Sequence, residues 1–351
     1  MARSSRSHPL PHLPLPHLPG ALEAPRRRGR TAVVLGGAAL AVGTAAAYRR
    51  FRGNDTTRPA SHDEDTAALG WGELDPPVSR LVATPDGANL AVFDLGPSTA
   101  PVVVLPHCWG CSHAVWIPVA RRLLEAGNRV VLYDQRGHGL SSRGTLPLDT
   151  ETLASDLATV LSAVDAKDAV LSGHSMGGMT IMALAAYRPE VLHARSKALV
   201  LVATAAAQMG LPIPLPQAEA AAARFIGSPL VTKFMQAPNG HRYVRGAFGK
   251  APVQAHLDLT RQLFGDCPGA VRGGYLQGMA TMNLLESIAT IEMPTTVLVG
   301  TRDRLTVPAR ARQMVDTIPG ARLVTLADRG HMLPLEDPDT VADEILRAVK
   351  G

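Results

Sequence analysis

From Arg80 onward, short runs of β-branched and aliphatic residues alternate with longer stretches of helical pattern, and this alternation limits most sharply how the chain can fold. Val102-Val103-Val104-Leu105, Val130-Val131-Leu132-Tyr133, Ala169-Val170-Leu171-Ser172, Ala198 to Ala203 and Thr296 to Val299 are nearly uninterrupted apolar runs. Strands buried on both faces have that composition. Helical patterns separate the earlier ones at Trp116 to Ala126, Thr152 to Val164 and Met179 to Tyr187. The last of these stops before Pro189, because the residue ahead of a proline avoids helical backbone. The pattern predicts an α/β fold with a mostly parallel central sheet and helices on both faces. Pro85-Asp86-Gly87 predicts a hairpin at the sheet edge, and Arg322 to Leu326 with Asp339 to Val349 a last strand and a closing helix.

About ninety residues separate the run ending at Ala203 from the next strand, too long for a plain connection. They hold Pro212, Pro214 and Pro216, then several helical patterns and no strand run. Residues 205–290 are therefore expected to form a helical lid inserted into a core made of 80–204 and 291–351. Phe225, Phe234, Met235, Phe248, Leu263, Met279 and Met282 lie in the lid, and as a group they predict an apolar pocket.

Gly173-His174-Ser175-Met176-Gly177 falls directly after one apolar run and before a helical pattern. Glycines at those places allow a sharp strand-to-helix turn that projects a serine hydroxyl, which makes Ser175 the candidate nucleophile. A serine needs a base, and the base an orienting carboxylate. Gly330-His331 follows the last strand run, which makes His331 the candidate base over His193, His241, His256 and the adjacent His174. Asp303, at the end of Val297-Leu298-Val299-Gly300, is the candidate acid; Asp328 is the alternative, and a helix cap is the plain structural role for Asp303.

The first sixty residues have a different character. Residues 1–30 are rich in Pro, His and Arg, which predicts a disordered tail. Thr31 to Tyr48 is eighteen residues without charge between arginine clusters, just long enough to cross a bilayer. It predicts a single N-terminal membrane anchor at 31–48 followed by a linker at 49–79, with the side of the membrane open. The alternatives are a secretory signal using Ala45-Ala46-Ala47 and an amphiphilic tail. Residues 1–60 carry ten Arg against Glu23 and Asp55, so the net +5 of the chain resides there and the remainder is mildly acidic. No basic stripe interleaved with aromatics follows residue 60, which argues against nucleic-acid binding. Cys108 and Cys111 form a Cys-x-x-Cys flanked by His107 and His113, but no second ligand pair completes a zinc site, so neither metal nor cofactor is expected.

His107-Cys108-Trp109-Gly110, Asp134-Gln135-Arg136-Gly137-His138-Gly139-Leu140-Ser141, Gly173 to Gly178, Gly300-Thr301-Arg302-Asp303 and Gly330-His331-Met332 together resemble the α/β-hydrolase superfamily from about Arg80 to Gly351. The resemblance is to its lidded serine esterases and perhydrolase-like members. It implies the α/β-hydrolase fold, backbone oxyanion donors at Trp109 and Met176, and a structural role for the loop Asp134 to Ser141. Cys108 departs from the pattern, standing where such proteins usually carry glycine, and is expected to narrow the oxyanion loop. The expected activity is hydrolysis of carboxylic esters of apolar acyl groups through an acyl-enzyme, on a small-molecule ester or lipid-like substrate. Perhydrolase, acyltransferase, thioesterase or C–C bond hydrolase chemistry with the same triad are alternatives, as is a non-catalytic, membrane-tethered binding module.

Overall fold

The structure, a computed structural model, describes residues 76–207, 216–237 and 239–351. Eight strands form one sheet: β1 (Arg80–Ala83), β2 (Asn89–Leu95), β3 (Val102–Pro106), β4 (Arg129–Tyr133), β5 (Ala169–His174), β6 (Ser196–Val202), β7 (Thr295–Gly300) and β8 (Arg322–Leu326). Their spatial order is β1-β2-β4-β3-β5-β6-β7-β8. β1 and β2 pair antiparallel around Pro85-Asp86-Gly87, β2 runs antiparallel to β4, and every later pairing is parallel. This is the sheet expected from the apolar runs.

The core divides by alternation. Successive side chains of a strand point to opposite faces. Val102, Val104, Val131 and Tyr133 pack in one apolar cluster, and Val103, Leu105, Val130 and Leu132 in the other. The first cluster is closed by α2 (Thr150–Ala163) and α3 (Met176–Tyr187), the second by α1 (Ile117–Glu125) and the closing helix α13 (Pro338–Lys350). Ten residues of α3 are buried, which explains why its sequence is apolar all round. Arg188 leaves helical backbone (φ −145°), and Pro189 then starts α4 (Pro189–Arg195).

Between β6 and β7 the described residues form α5 (Pro216–Ile226), α6 (Pro229–Gln236), α7 (His241–Val244), α8 (Gln254–Asp266), α9 (Gly269–Ala280) and α10 (Leu285–Ile288). α11 (Pro308–Thr317) follows β7, and the short α12 (Leu333–Glu336) precedes α13. The loop after β4 is pinned by Arg136. Its buried guanidinium makes paired bonds to Asp156 of α2 (2.8 and 2.6 Å) and to Asp86 of the hairpin (2.5 and 3.1 Å). Bidentate geometry of this kind joins positional specificity to charge pairing.

The expected membrane-anchored localisation is corrected. The longest helix among the described residues has 14 residues, or about 21 Å at 1.5 Å per residue, against a hydrocarbon core of about 30 Å. No described helix is long and apolar enough to cross a membrane. The tail 1–30, the apolar segment 31–48 and the linker as far as residue 75 lie outside the described residues, as do Pro212 and Pro214.

Candidate active site

The carboxyl ends of the parallel strands gather the candidate side chains. Ser175 follows β5, Asp303 follows β7 and His331 follows β8. Ser175 has φ +53° and ψ −114°, a backbone region that L-residues rarely adopt and that stores on the order of 1–3 kcal/mol of strain. The surroundings hold it there: Ser175 N–H donates to Val202 O at 2.9 Å, and Thr204 Oγ1 donates to Ser175 O at 2.7 Å. The flanking glycines are needed for close approach. A Cβ on Gly177 would lie 2.0 Å from the Pro106 carbonyl oxygen, and one on Gly173 2.4 Å from the Gly177 backbone.

His331 and Asp303 meet directly, with Nδ1 2.9 Å from Oδ2. An ionised carboxylate only accepts, so Nδ1 carries a proton, and it is Nε2 whose lone pair is available in the neutral ring. Asp303 Oδ1 accepts the Leu305 and Thr306 N–H groups at 2.8 and 2.9 Å, and Thr306 Oγ1 donates to Oδ2 at 2.8 Å. Burial works against ionisation of this carboxyl, but the charge and hydrogen bond of His331 and the Thr306 bonds outweigh it, and its pKa lies below the usual aspartate value. Asp328, the alternative acid, is exposed and paired with Arg302 at 2.8 Å.

The His331 loop is clamped from three sides. Its N–H donates to Ala247 O at 2.7 Å, and its carbonyl accepts from His174 Nε2 at 2.8 Å. The carboxylate of Glu336 accepts the N–H groups of Gly330 and Met332 on either side. His174, the neighbour of the serine, thus holds the His331 loop; burial lowers its pKa to about 4 and keeps its ring neutral. His193 is exposed on α4, and His241 and His256 sit in α7 and α8.

Trp109 and Met176 stand at the ends of β3 and β5. Met176 is the first residue of α3, where an N–H has no carbonyl one turn earlier and the helix dipole favours negative charge. The Trp109 indole N–H donates to Arg272 O at 3.1 Å, and its ring meets Phe264 edge-on. Arg272 is fully buried and donates to Phe264 O and Cys267 O, both at 2.6 Å, and to Thr232 Oγ1 at 2.6 Å, tying α6, α8 and α9 to the Trp109 loop. Cys108 and Cys111 are buried in the apolar cluster of α1. Hydrogen bonding from Cys108 and burial push the Cys111 thiol well up, which disfavours a thiolate there. Among the described residues no three His, Cys, Asp or Glu side chains converge as a metal-ligand set.

Of the expected lid side chains, Met235, Phe248, Met279 and Met282 are buried, whereas Phe225 and Phe234 are exposed. The clamps His174, Glu336, Thr306 and Thr204 were not singled out from sequence as holding groups. Only Thr306 leaves a local signal, an Asp-x-x-Thr spacing of the kind used by side-chain turns.

Residues 102–344 match the model of the Alpha/beta hydrolase family. The chain is 25% identical over 309 residues to the bifunctional esterase/perhydrolase of Acinetobacter calcoaceticus, covering 77% of this chain and 99% of that protein. A 97-residue stretch is 39% identical to the non-heme chloroperoxidase of Streptomyces lividans, covering 28% of this chain and 35% of that protein. The enol-lactonase from Burkholderia xenovorans superposes with a TM-score of 0.63 at 25% identity, over 75% of this chain and 97% of its own. The family match extends over well more than half the sequence, from the third strand into the closing helix, and the chain belongs to the alpha/beta hydrolase family and is a hydrolase.

Proposed function

We propose that the protein cleaves carboxylic esters of apolar acyl groups through an acyl-enzyme on Ser175. The observation that carries this reading is the 2.9 Å bond between His331 Nδ1 and Asp303 Oδ2 at the same sheet end as the strained Ser175 turn. His331 Nε2 takes the hydroxyl proton as Ser175 Oγ attacks the ester carbonyl, and Asp303 holds the ring and its charge. The N–H groups of Trp109 and Met176 receive the oxyanion. The proton on His331 passes to the departing alkoxide, and water then cleaves the acyl-serine to release the acid. Helices α5 to α10 act as the lid. The apolar acyl preference is argued from the apolar composition of this segment, which carries Met235, Phe248, Met279 and Met282.

Perhydrolysis is a second reading of the same triad, favoured by the similarity to an esterase/perhydrolase. Hydrogen peroxide then replaces water and the acyl group leaves as a peracid. A series of p-nitrophenyl esters from acetate to octanoate, with and without peroxide, tests both. Turnover with kcat/KM rising toward medium chains is expected, since each buried methylene contributes about 0.8 kcal/mol. Absence of turnover on every ester would refute the proposal.

A further inference from the structure

Two buried histidines take no part in the proton transfers just described, yet both bond to the backbone beside Trp109. His138 Nε2 accepts the Gly110 N–H at 3.0 Å, and its Nδ1 donates to Arg136 O at 3.1 Å. His107 Nδ1 donates to Cys108 O at 2.7 Å, and its Nε2 accepts the Gln135 N–H at 2.9 Å. Each tautomer is fixed by its partners, because a carbonyl only accepts and a backbone N–H only donates. Burial brings His107 down to about 4 and His138 to about 3, so both rings are neutral wherever a histidine base works. The residues before and after Trp109 are thereby tied to two imidazoles, one by its carbonyl and one by its N–H.

The same network reaches the second oxyanion donor. The Gln135 amide N–H donates to His107 O, and its Oε1 accepts from Thr180 Oγ1 at 2.7 Å. The Thr180 hydroxyl is shared with Met176 O, 2.9 Å away. Gly110 itself has φ +70°, and a Cβ there would lie 2.4 Å from the Phe264 ring, so the turn that presents its N–H to His138 requires glycine. The rival arrangement is that the Trp109 indole bond to Arg272 holds the loop alone.

We propose that His138 and His107 are positioning residues that aim the Trp109 N–H at the developing oxyanion, an inference that rests on the Ser175 reading above. His138→Phe keeps a ring but removes the acceptor for Gly110. Loss of one oxyanion donor costs 10²–10³ in kcat, and a misaimed donor keeps part of its effect, so a fall of about 30-fold is expected with KM within about twofold. A boronic acid inhibitor, whose tetrahedral adduct needs the same donors, is expected to weaken in parallel. His138→Gln, whose amide oxygen reaches the Nε2 position, is expected to recover most of the rate. If His138→Phe does not fold, His138→Asn replaces it, being polar but too short to reach Gly110.

Folded enzyme is counted by end-point fluorophosphonate labelling. An active wild type with kcat of His138→Phe or His138→Asn unchanged, or with KM raised and boronate affinity intact, overturns the positioning role alone. A wild type that hydrolyses no ester overturns the Ser175 reading and this inference with it.

Discussion

Ser175→Ala is expected to lower kcat for ester hydrolysis by on the order of 10⁶, the scale seen when a nucleophile is removed from a working triad. The substitution leaves the rest of the site intact. The bonds that hold the turn, Ser175 N–H to Val202 O and Thr204 Oγ1 to Ser175 O, use backbone atoms of residue 175 and survive the loss of Oγ. Folding and KM should therefore be little changed, and the residual rate should be that of oriented binding and the oxyanion donors acting on water. Steady-state kinetics on a short p-nitrophenyl ester measures it. Full activity in the alanine variant would show that Ser175 is not the nucleophile.

Asp303→Asn should cost nearly as much, on the order of 10⁴ in kcat, for a different reason. Oδ1 of Asp303 is fixed by two backbone donors, Leu305 and Thr306, so the asparagine oxygen takes that place and its NH₂ faces His331 Nδ1. A donor there forces the ring into the tautomer with its proton on Nε2, where it cannot accept from Ser175. The turn after β7 keeps its backbone bonds, so thermal stability should fall little while the rate collapses. A kcat loss below about tenfold would place the orienting carboxylate elsewhere.

These outcomes depend on features that differ in how far sequence exposes them. Buried parallel strands must be apolar on both faces, which is why Val102-Val103-Val104-Leu105 and its counterparts read directly as the sheet. Ser175 is legible because its turn needs small residues at 173 and 177, where backbone comes within 2.0–2.4 Å of any added Cβ. Asp303 and His331 are legible from their places after β7 and β8. Their supports are not. His174 and Thr204 act on backbone atoms distant in sequence, and no local spacing marks a bond such as His174 Nε2 to His331 O, 157 residues apart; Glu336 holds the N–H groups of Gly330 and Met332, six and four residues before it, with no motif to mark it. Gly110 and His138 are joined in the same way between the loops that follow the neighbouring strands β3 and β4. The membrane-anchored localisation rested on the apolar composition of 31–48 alone, a segment outside the described residues, and no described helix is long and apolar enough to cross a membrane.

Cys108, the departure from the family pattern, turns its side chain into the core. Its thiol is buried with Cys111, Val115 and Leu105 on the α1 side of the sheet. The backbone at Cys108 remains bonded through its carbonyl to His107 and Cys111.

The most direct test of the central claim is covalent labelling of the wild-type protein with a fluorophosphonate, followed by peptide mass spectrometry. The account predicts stoichiometric modification at Ser175 that is slowed by ester substrate and lost in Ser175→Ala. A folded protein that takes up no label, or carries it on another residue, would contradict it.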